Sequence, residues 1–254
     1  MNFPALSSWI QAIERDGFVV MPSIYGTNEI ERMRSEIAAV FSNSENDSSA
    51  IRRRNGTMVA ARNVLEWMPS ARAVWQVPPI IELLGSVLGS EFGLVRALYF
   101  DKPPGQSWVL PWHKDMTIAV LDNDLPSKAF THPTKKAGIP HVEAPVALLE
   151  RMLTLRIFLD DVNDENGPLR VQPGSHTSGE LVDGVTSNAE SVLGSAGDVL
   201  AMRPLLAHSS GHSRPESTMH RRTLHLEFAA DPVLPDGYRW HEFVTLGAGN
   251  EKAS

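Results

Sequence analysis

Cysteine is absent from this chain of 254 residues, which excludes disulfides, thiolate metal sites and cysteine nucleophiles. Positive charge is also scarce, because 23 Lys and Arg stand against 30 Asp and Glu, for a net charge of −7. That balance argues against general nucleic-acid binding, which requires a basic surface. The sequence also lacks a G-x-S-x-G nucleophile elbow, so a Ser-His-Asp hydrolase is the least favoured enzyme class.

Long apolar runs are missing too. No stretch approaches the roughly 18 apolar residues of a membrane span. The first residues lack the basic start and apolar run of a signal peptide. We therefore expect a cytoplasmic protein that binds neither membrane nor nucleic acid and that acts on a small molecule.

Helical periodicity is confined to the first third of the sequence. One helix is expected to start at Ser7 or Ser8 and to end at Gly17, and a second is expected to start at Thr27. A third helix is predicted over about 79–88, with a proline near its start. The remaining predictions for this region are a short strand at 18–21 and a polar loop at 42–57.

From about residue 93 the pattern changes to short strand-like runs separated by turn residues. This spacing predicts a mainly β fold, an antiparallel sandwich or barrel, and we expect residues 1–254 to form one domain. Residues 120–150 hold four prolines and show no period, which predicts an irregular lid or insertion at an active site. The strands are predicted at 94–101, 108–119, 152–160, 168–172, 181–184, 198–203 and 221–229.

The segment PWHKDMTI at 111–118 carries the strongest chemical signal. Residues two apart on a strand point to the same face, so His113 and Asp115 are expected to project together, with Thr117 beside them. Two histidines and a carboxylate on one face of iron(II) form the facial triad, which leaves coordination positions open. A lone His-x-Asp pair is weak evidence, so the prediction depends on a third ligand.

That third ligand must come from a distant strand. His208 follows a turn at 196–198 and the apolar run 199–202, and it is the preferred candidate. His176 competes with it but follows a Pro-Gly turn, so we interpret it as a structural group. The weaker candidates are His212, His220 and His225.

A second requirement of such an iron site is a cation for the far carboxylate of a keto-acid cosubstrate. Arginine suits this role because its planar fork binds a carboxylate through two hydrogen bonds. Arg221 and Arg222 are adjacent on a predicted strand and face opposite ways, so only one can enter the site. Leu224, Leu226 and Phe228 share a face with Arg222 and are expected to pack in the outer core. Arg221 is therefore the preferred candidate and Arg222 the alternative.

These motifs together resemble the phytanoyl-CoA dioxygenase family, over roughly residues 10–230. No single motif is specific, but their order along the chain is. The segments that carry the resemblance are DGFVVMPSIYGTNEIERMRSEI at 16–37, HKD at 113–115, NGPLRVQPGSH at 166–176, HSSG at 208–211 and RRTLHLEFA at 221–229.

The resemblance implies a double-stranded β-helix (jelly roll, cupin-like) core with the N-terminal helices packed outside. It implies an oxygenase that uses iron(II), 2-oxoglutarate and O2, releases succinate and CO2, and hydroxylates an unactivated C–H bond of a small molecule, such as an amino acid or natural-product intermediate. Related halogenases lack the ligand carboxylate, so Asp115 favours hydroxylation. The implied iron ligands are His113, Asp115 and His208, and the implied 2-oxoglutarate contacts are Arg221, Ser210 and Arg156, to which the strand pattern adds Thr117 as a candidate.

The substrate pocket is less well defined by the sequence. Tyr99, Trp108 and Trp112 flank the metal motif and are candidates to line the pocket, and the 120–150 segment offers His141. Two other functions remain open: a metal-dependent hydrolase that uses the same three ligands, and a non-catalytic jelly-roll binding module. The sequence leaves the substrate, the site of oxidation and the oligomeric state undetermined.

Overall fold

The computed structural model describes residues 5–42, 49–180, 182 and 188–247. The predicted N-terminal helices are confirmed, and α1 ends at Gly17, whose positive φ of 85° lets its N–H bond back to the Ile13 carbonyl. No helix in these ranges is long and apolar enough to cross a membrane. The helices are α1 (Leu6–Asp16), α2 (Thr27–Ser42), α3 (Val64–Trp67), α4 (Pro78–Leu88) and α5 (Val146–Leu149).

The strands form three antiparallel sheets. The large sheet has the order β1-β12-β9-β14-β4-β3-β2, the second β11-β10-β13-β5 and the third β6-β8-β7. Their bounds are β1 (Phe18–Met21), β2 (Ala50–Arg52), β3 (Met58–Ala61), β4 (Gly93–Lys102), β5 (Leu110–His113), β6 (Thr117–Ala119), β7 (Thr131–Lys136), β8 (Ile139–Glu143), β9 (Met152–Phe158), β10 (Leu169–Val171), β11 (Glu190–Val192), β12 (Val199–Met202), β13 (His208–Ser210) and β14 (Arg221–Ala229).

The large sheet and the second sheet pack face to face. Phe158 and Leu200 of the large sheet lie in one buried apolar cluster with Leu169, Val171 and Val192 of the second sheet. Two antiparallel sheets that enclose such a cluster form the predicted mainly β jelly roll.

The helices cover the outer face of the large sheet. Leu224, Leu226 and Phe228 of β14 lie in the main apolar core with residues of α1, α2 and α4. Trp75 packs edge-on against Phe228, with ring centroids 5.3 Å apart. The outer face is therefore apolar, which leaves the inner face of β14 to carry polar groups.

Three sequence predictions were wrong in part. Residues 120–150 are not irregular, because β7 and β8 form a hairpin there, followed by α5. Ala137 and Gly138 turn this hairpin with positive φ angles of 49° and 83°, as a two-residue hairpin turn requires. The predicted loop at 42–57 contains β2, which pairs with β3.

The strand predicted at 108–119 is two strands in different sheets, β5 and β6. The strand predicted at 181–184 lies outside the described residues, apart from Val182.

Candidate active site

His113, Asp115 and His208 converge at one edge of the second sheet. Each offers one ligand atom, and these atoms lie within 4.8 Å of one another. His113 and His208 are direct partners across β5 and β13. Asp115 lies just beyond β5, where its backbone N–H donates to the Pro204 carbonyl at 2.9 Å. Strand pairing thus brings together residues that are 95 positions apart in the sequence.

Hydrogen bonds to the main chain orient both imidazoles. Nδ1 of His113 donates to the Pro111 carbonyl at 2.8 Å, and Nδ1 of His208 donates to the Leu206 carbonyl at 2.9 Å. Each Nε2 therefore carries a lone pair directed at the shared point, as in metal sites where a second hydrogen bond fixes the ligand tautomer. Burial lowers the pKa of His208 to about 3, so this imidazole is neutral.

The Asp115 carboxylate has a buried oxygen, Oδ2, without a hydrogen-bond partner among the described residues. Its oxygens lie 3.7 Å from Nε2 of His113 and 3.8 Å from Nε2 of His208, too far for hydrogen bonds. Burial opposes its ionisation, but favourable electrostatic interactions with the side chains of His208, His225 and Arg156 outweigh burial and lower its pKa. Two imidazole nitrogens and a carboxylate oxygen are the donor set of an iron(II) facial triad, and all three residues fit it.

Arg221 enters the interior and Arg222 does not, as the strand pattern predicts. Arg222 makes a two-pronged ion pair with Asp160, at 2.8 and 2.7 Å. Arg221 is only 5% exposed, and its Nε is buried without an acceptor within the described ranges. Burial, and next the charge of Arg156, lower its pKa to about 10, so Arg221 is still a cation at neutral pH. A buried cation without an anion suits an incoming carboxylate.

Lys102 is a site residue that the sequence did not reveal. It lies opposite Arg221 across β4 and β14 and is fully buried. Its ammonium donates to the Ser210 hydroxyl at 3.0 Å and to the carbonyls of Gly167 and Gly211. Lys102 therefore contacts the Ser210 hydroxyl and is the cross-strand neighbour of Arg221.

Arg156 lies between the ligand His208 and a second buried polar group, formed by His225 and Glu227. Its Nη2 lies 3.4 Å from Nε2 of His208. Arg156 is the cross-strand partner of His225, which bonds Glu227 at 3.0 Å. Arg96 holds the same carboxylate through two bonds of 2.8 and 2.6 Å. This inner face of the large sheet is polar where its outer face is apolar.

The sequence matches the model of one protein family. The model of the phytanoyl-CoA dioxygenase (PhyH) family matches residues 13–223. The chain belongs to this family. The jelly roll and the three-residue metal cluster described above agree with that membership.

Individual relatives are distant from this family member. It is 27% identical to the L-proline trans-4-hydroxylase of Streptomyces griseoviridis, over 66% of this chain and 54% of that protein. It is 23% identical to a probable alpha-ketoglutarate-dependent hypophosphite dioxygenase of Stutzerimonas stutzeri, over 92% of this chain and 79% of that one. The chain thus spans about half the length of the proline hydroxylase that it matches.

A solved structure shares the fold. EctD from S. alaskensis with bound Fe superposes with a TM-score of 0.68 at 16% identity, covering 90% of this chain and 79% of that one. At this identity the likeness concerns the fold alone, and it agrees with the jelly-roll architecture.

A cavity of about 760 Å³ opens between the β3–β4 edge of the large sheet, the β6–β8 strands and residues 239–244. His141, a predicted pocket residue, lines this cavity from β8, where it pairs with Ala119. Thr117 starts β6 and accepts a hydrogen bond from Lys136 at 2.9 Å. The volume is that of a site for a small organic molecule.

The three aromatic candidates do not line this cavity. Tyr99 stacks on Phe41 of α2, with ring centroids 6.2 Å apart, and lies in the helix-covered core. Trp112 alternates with His113 on β5 and so faces the other way. Trp108 packs on Lys102, whose ammonium lies 5.0 Å from the ring centroid. These aromatics therefore lie outside this cavity, so their role in substrate binding stays a prediction, and Trp108 lies beside Lys102.

Proposed function

We propose that this member of the family is an iron(II)- and 2-oxoglutarate-dependent dioxygenase that hydroxylates an unactivated C–H bond of a small molecule. One observation carries the proposal: a His-Asp-His cluster lies in the same jelly roll as Arg221, a buried arginine that forms no ion pair with any described residue. Iron(II), 2-oxoglutarate and O2 together supply the oxidation of the C–H bond, with release of succinate and CO2.

The residues of this chain have separable tasks in that reaction. His113, Asp115 and His208 hold the iron, and the main-chain bonds to both Nδ1 atoms keep the ligand nitrogens aimed. Arg221 binds the far carboxylate of 2-oxoglutarate, with the Ser210 hydroxyl beside it. Arg156, a buried cation next to His208, adds positive charge where the cosubstrate carboxylates are expected. Thr117 is the remaining candidate for a contact to 2-oxoglutarate, and its hydroxyl accepts a hydrogen bond from Lys136.

A small-molecule substrate is supported by the cavity and by the relatives, whose names specify proline, ectoine and hypophosphite. The β7–β8 hairpin borders the cavity through His141, so it is proposed as the cover of the substrate. A hydrolytic function is less favoured, because it needs a free general base near the metal. Apart from the ligand Asp115, the buried acid that acts on Arg156 is Glu227, and Arg96 and His225 already bind its carboxylate.

The test is anaerobic titration of the purified protein with iron(II) and then 2-oxoglutarate. We expect a visible charge-transfer band that needs both additions, followed by succinate formation when O2 and a substrate are admitted. A protein that binds iron(II) but shows no band with 2-oxoglutarate, and forms no succinate, would contradict the proposal.

A further inference from the structure

Three cationic side chains lie near one another, because Lys136 lies within range of the charges of both Arg62 and Arg96. Arg62, just after β3, and Arg96, within β4, both line the cavity. Lys136 ends β7 and reaches Thr117 on β6. A fourth basic residue, His141, also lines the cavity. Burial is the main reason that its pKa is lowered to about 4, so it adds no charge at neutral pH.

The acidic groups here are too few to neutralise these cations. Glu227 is already bound to Arg96 through two hydrogen bonds. Glu242, which also lines the cavity, is bound through both oxygens to Arg72, at 3.1 and 2.6 Å. The third acid of the lining, Glu66, is exposed. Arg96 and Arg72 therefore have their counterions within the protein.

Arg62 and Lys136 have no such counterion among the described residues. Neither forms an ion pair there, and the side chain of Lys136 donates its hydrogen bond to the neutral hydroxyl of Thr117. Both side chains are half-buried. Burial lowers the pKa of Lys136, and the charges of Arg96 and Arg62 lower it further, so these cations repel one another. Arg62 lines the cavity and Lys136 lies within range of its charge, so an anion that enters the cavity beside Arg62 would stabilise both half-buried cations.

Lys136 also lies within electrostatic range of a metal ligand, Asp115. Thr117, which Lys136 contacts, stands two residues after Asp115 in the sequence. The negative charge of Asp115 is among the charges that act on both Lys136 and Arg96. A group bound between Arg62 and Lys136 would thus hold the remainder of a small molecule toward the iron.

We propose that Arg62 and Lys136 bind an anionic group, a carboxylate or a phosphate, of the primary substrate, and so select acidic small molecules. This inference rests on the proposed oxygenase function and adds the substrate class to it. The arginine fork supplies two parallel hydrogen bonds to such a group, and the lysine supplies a point charge. The cavity volume of about 760 Å³ leaves room for an organic body attached to the anion.

The experiment uses anaerobic protein loaded with iron(II) and one equivalent of 2-oxoglutarate. The probes are amino acids and hydroxy acids, each beside its primary amide, and sugar phosphates, each beside the free sugar. Binding is read from the change in the charge-transfer band and from calorimetry. We expect at least one acid to bind at least about tenfold more tightly than its neutral counterpart. The series that binds distinguishes a carboxylate from a phosphate.

Variants then test the two residues. Arg62→Gln and Lys136→Met should each weaken binding of that acid at least about tenfold and leave the weak binding of its neutral counterpart unchanged. The matched controls Arg32→Gln and Lys135→Met change exposed cations and should bind like the parent protein. Equal binding of acids and neutral counterparts, binding by neither series, or full acid affinity in both variants would overturn the inference. Absence of the charge-transfer band in the parent protein would instead reject the proposed function.

Discussion

Arg221 and Lys102 lie directly opposite each other on β14 and β4, with both side chains buried in the interior of the jelly roll. Lys102 is satisfied by neutral oxygens, among them the Ser210 hydroxyl, and Arg221 has no acceptor for its Nε in the described part of the chain. Two positive charges at one buried position without a carboxylate are unfavourable unless a ligand supplies the negative charge. The pair therefore gives two separate predictions about 2-oxoglutarate.

The first prediction separates Arg221 from its neighbour. Arg221→Gln should weaken 2-oxoglutarate binding by about ten- to a hundredfold, because a charge-assisted pair of hydrogen bonds is lost. Arg222→Gln should leave that affinity unchanged and lower the free energy of unfolding by about 1 kcal/mol, because it removes the ion pair with Asp160. Titration of the charge-transfer band and urea denaturation measure the two effects. The reverse pattern would assign the clamp to Arg222.

The second prediction concerns pH. Burial, and next the charge of Arg221, lower the pKa of Lys102 to about 7. The protonated lysine attracts the cosubstrate carboxylate, so the affinity for 2-oxoglutarate should be highest below about pH 7 and should fall as the pH rises above that value. Bound carboxylate raises the pKa of Lys102, which extends the fall toward higher pH.

Measuring the dissociation constant of 2-oxoglutarate from about pH 6.5 to about pH 9 checks this dependence. Lys102→Met should flatten the profile, whereas Lys128→Met, a change of an exposed lysine, should retain it. If the Lys102→Met profile keeps the slope of the parent protein, the pH dependence belongs to another group.

Local patterns predicted much of this protein. The end of α1 at Gly17 follows from helix-capping chemistry, and the opposite facing of Arg221 and Arg222 follows from strand alternation. The start of α2 was predicted to within one residue, because Thr27 is its first helical residue and the Gly26 carbonyl accepts the first N–H groups. The facing of His113 and Asp115 was predicted from their spacing, although Asp115 lies just past the strand.

Long-range pairing explains what the sequence did not predict. Lys102 and Arg221 are 119 positions apart, and no local signal indicates that they are cross-strand partners. Strand β4 is buried on both faces, so alternation could not tell that Tyr99 faces the helices. The β7–β8 hairpin was missed because β7 is almost wholly exposed and both strands contain proline, features that usually argue against a strand.

The third prediction concerns the metal. Asp115→Asn should fold, because the affected Oδ2 has no hydrogen bond to lose within the described ranges, but it should no longer bind iron(II) tightly. Parent protein should gain about 2.7 kcal/mol of stability when iron(II) is present at about a hundred times its dissociation constant, and the variant should gain almost none. Anaerobic thermal unfolding with and without iron(II) measures this gain. Asp164→Asn, at an exposed position, is the control, and an equal gain in Asp115→Asn would remove Asp115 from the ligand set.

The last prediction tests how the fold is held around the site. Gly197 has a positive φ of 97°, and its carbonyl accepts the N–H groups of Ile24 and Tyr25. A Cβ at this position would overlap the Tyr25 carbonyl oxygen. Gly197→Ala should therefore lower the free energy of unfolding by about 2 kcal/mol or more, because the left-handed backbone and the overlap both oppose a side chain.

Gly85 is the matched control for that change. It lies within α4, and a Cβ added there meets no atom within 4 Å. Gly85→Ala should raise the free energy of unfolding by about 1 kcal/mol, the difference in helix propensity between the two residues. Urea denaturation of both variants, compared at equal slopes, measures the two effects. Gly197 lies in the turn before β12, the strand that precedes β13 with the ligand His208. If Gly197→Ala were as stable as the parent protein, the backbone at this turn would have to rearrange without cost, and the close approach of Tyr25 would not constrain it.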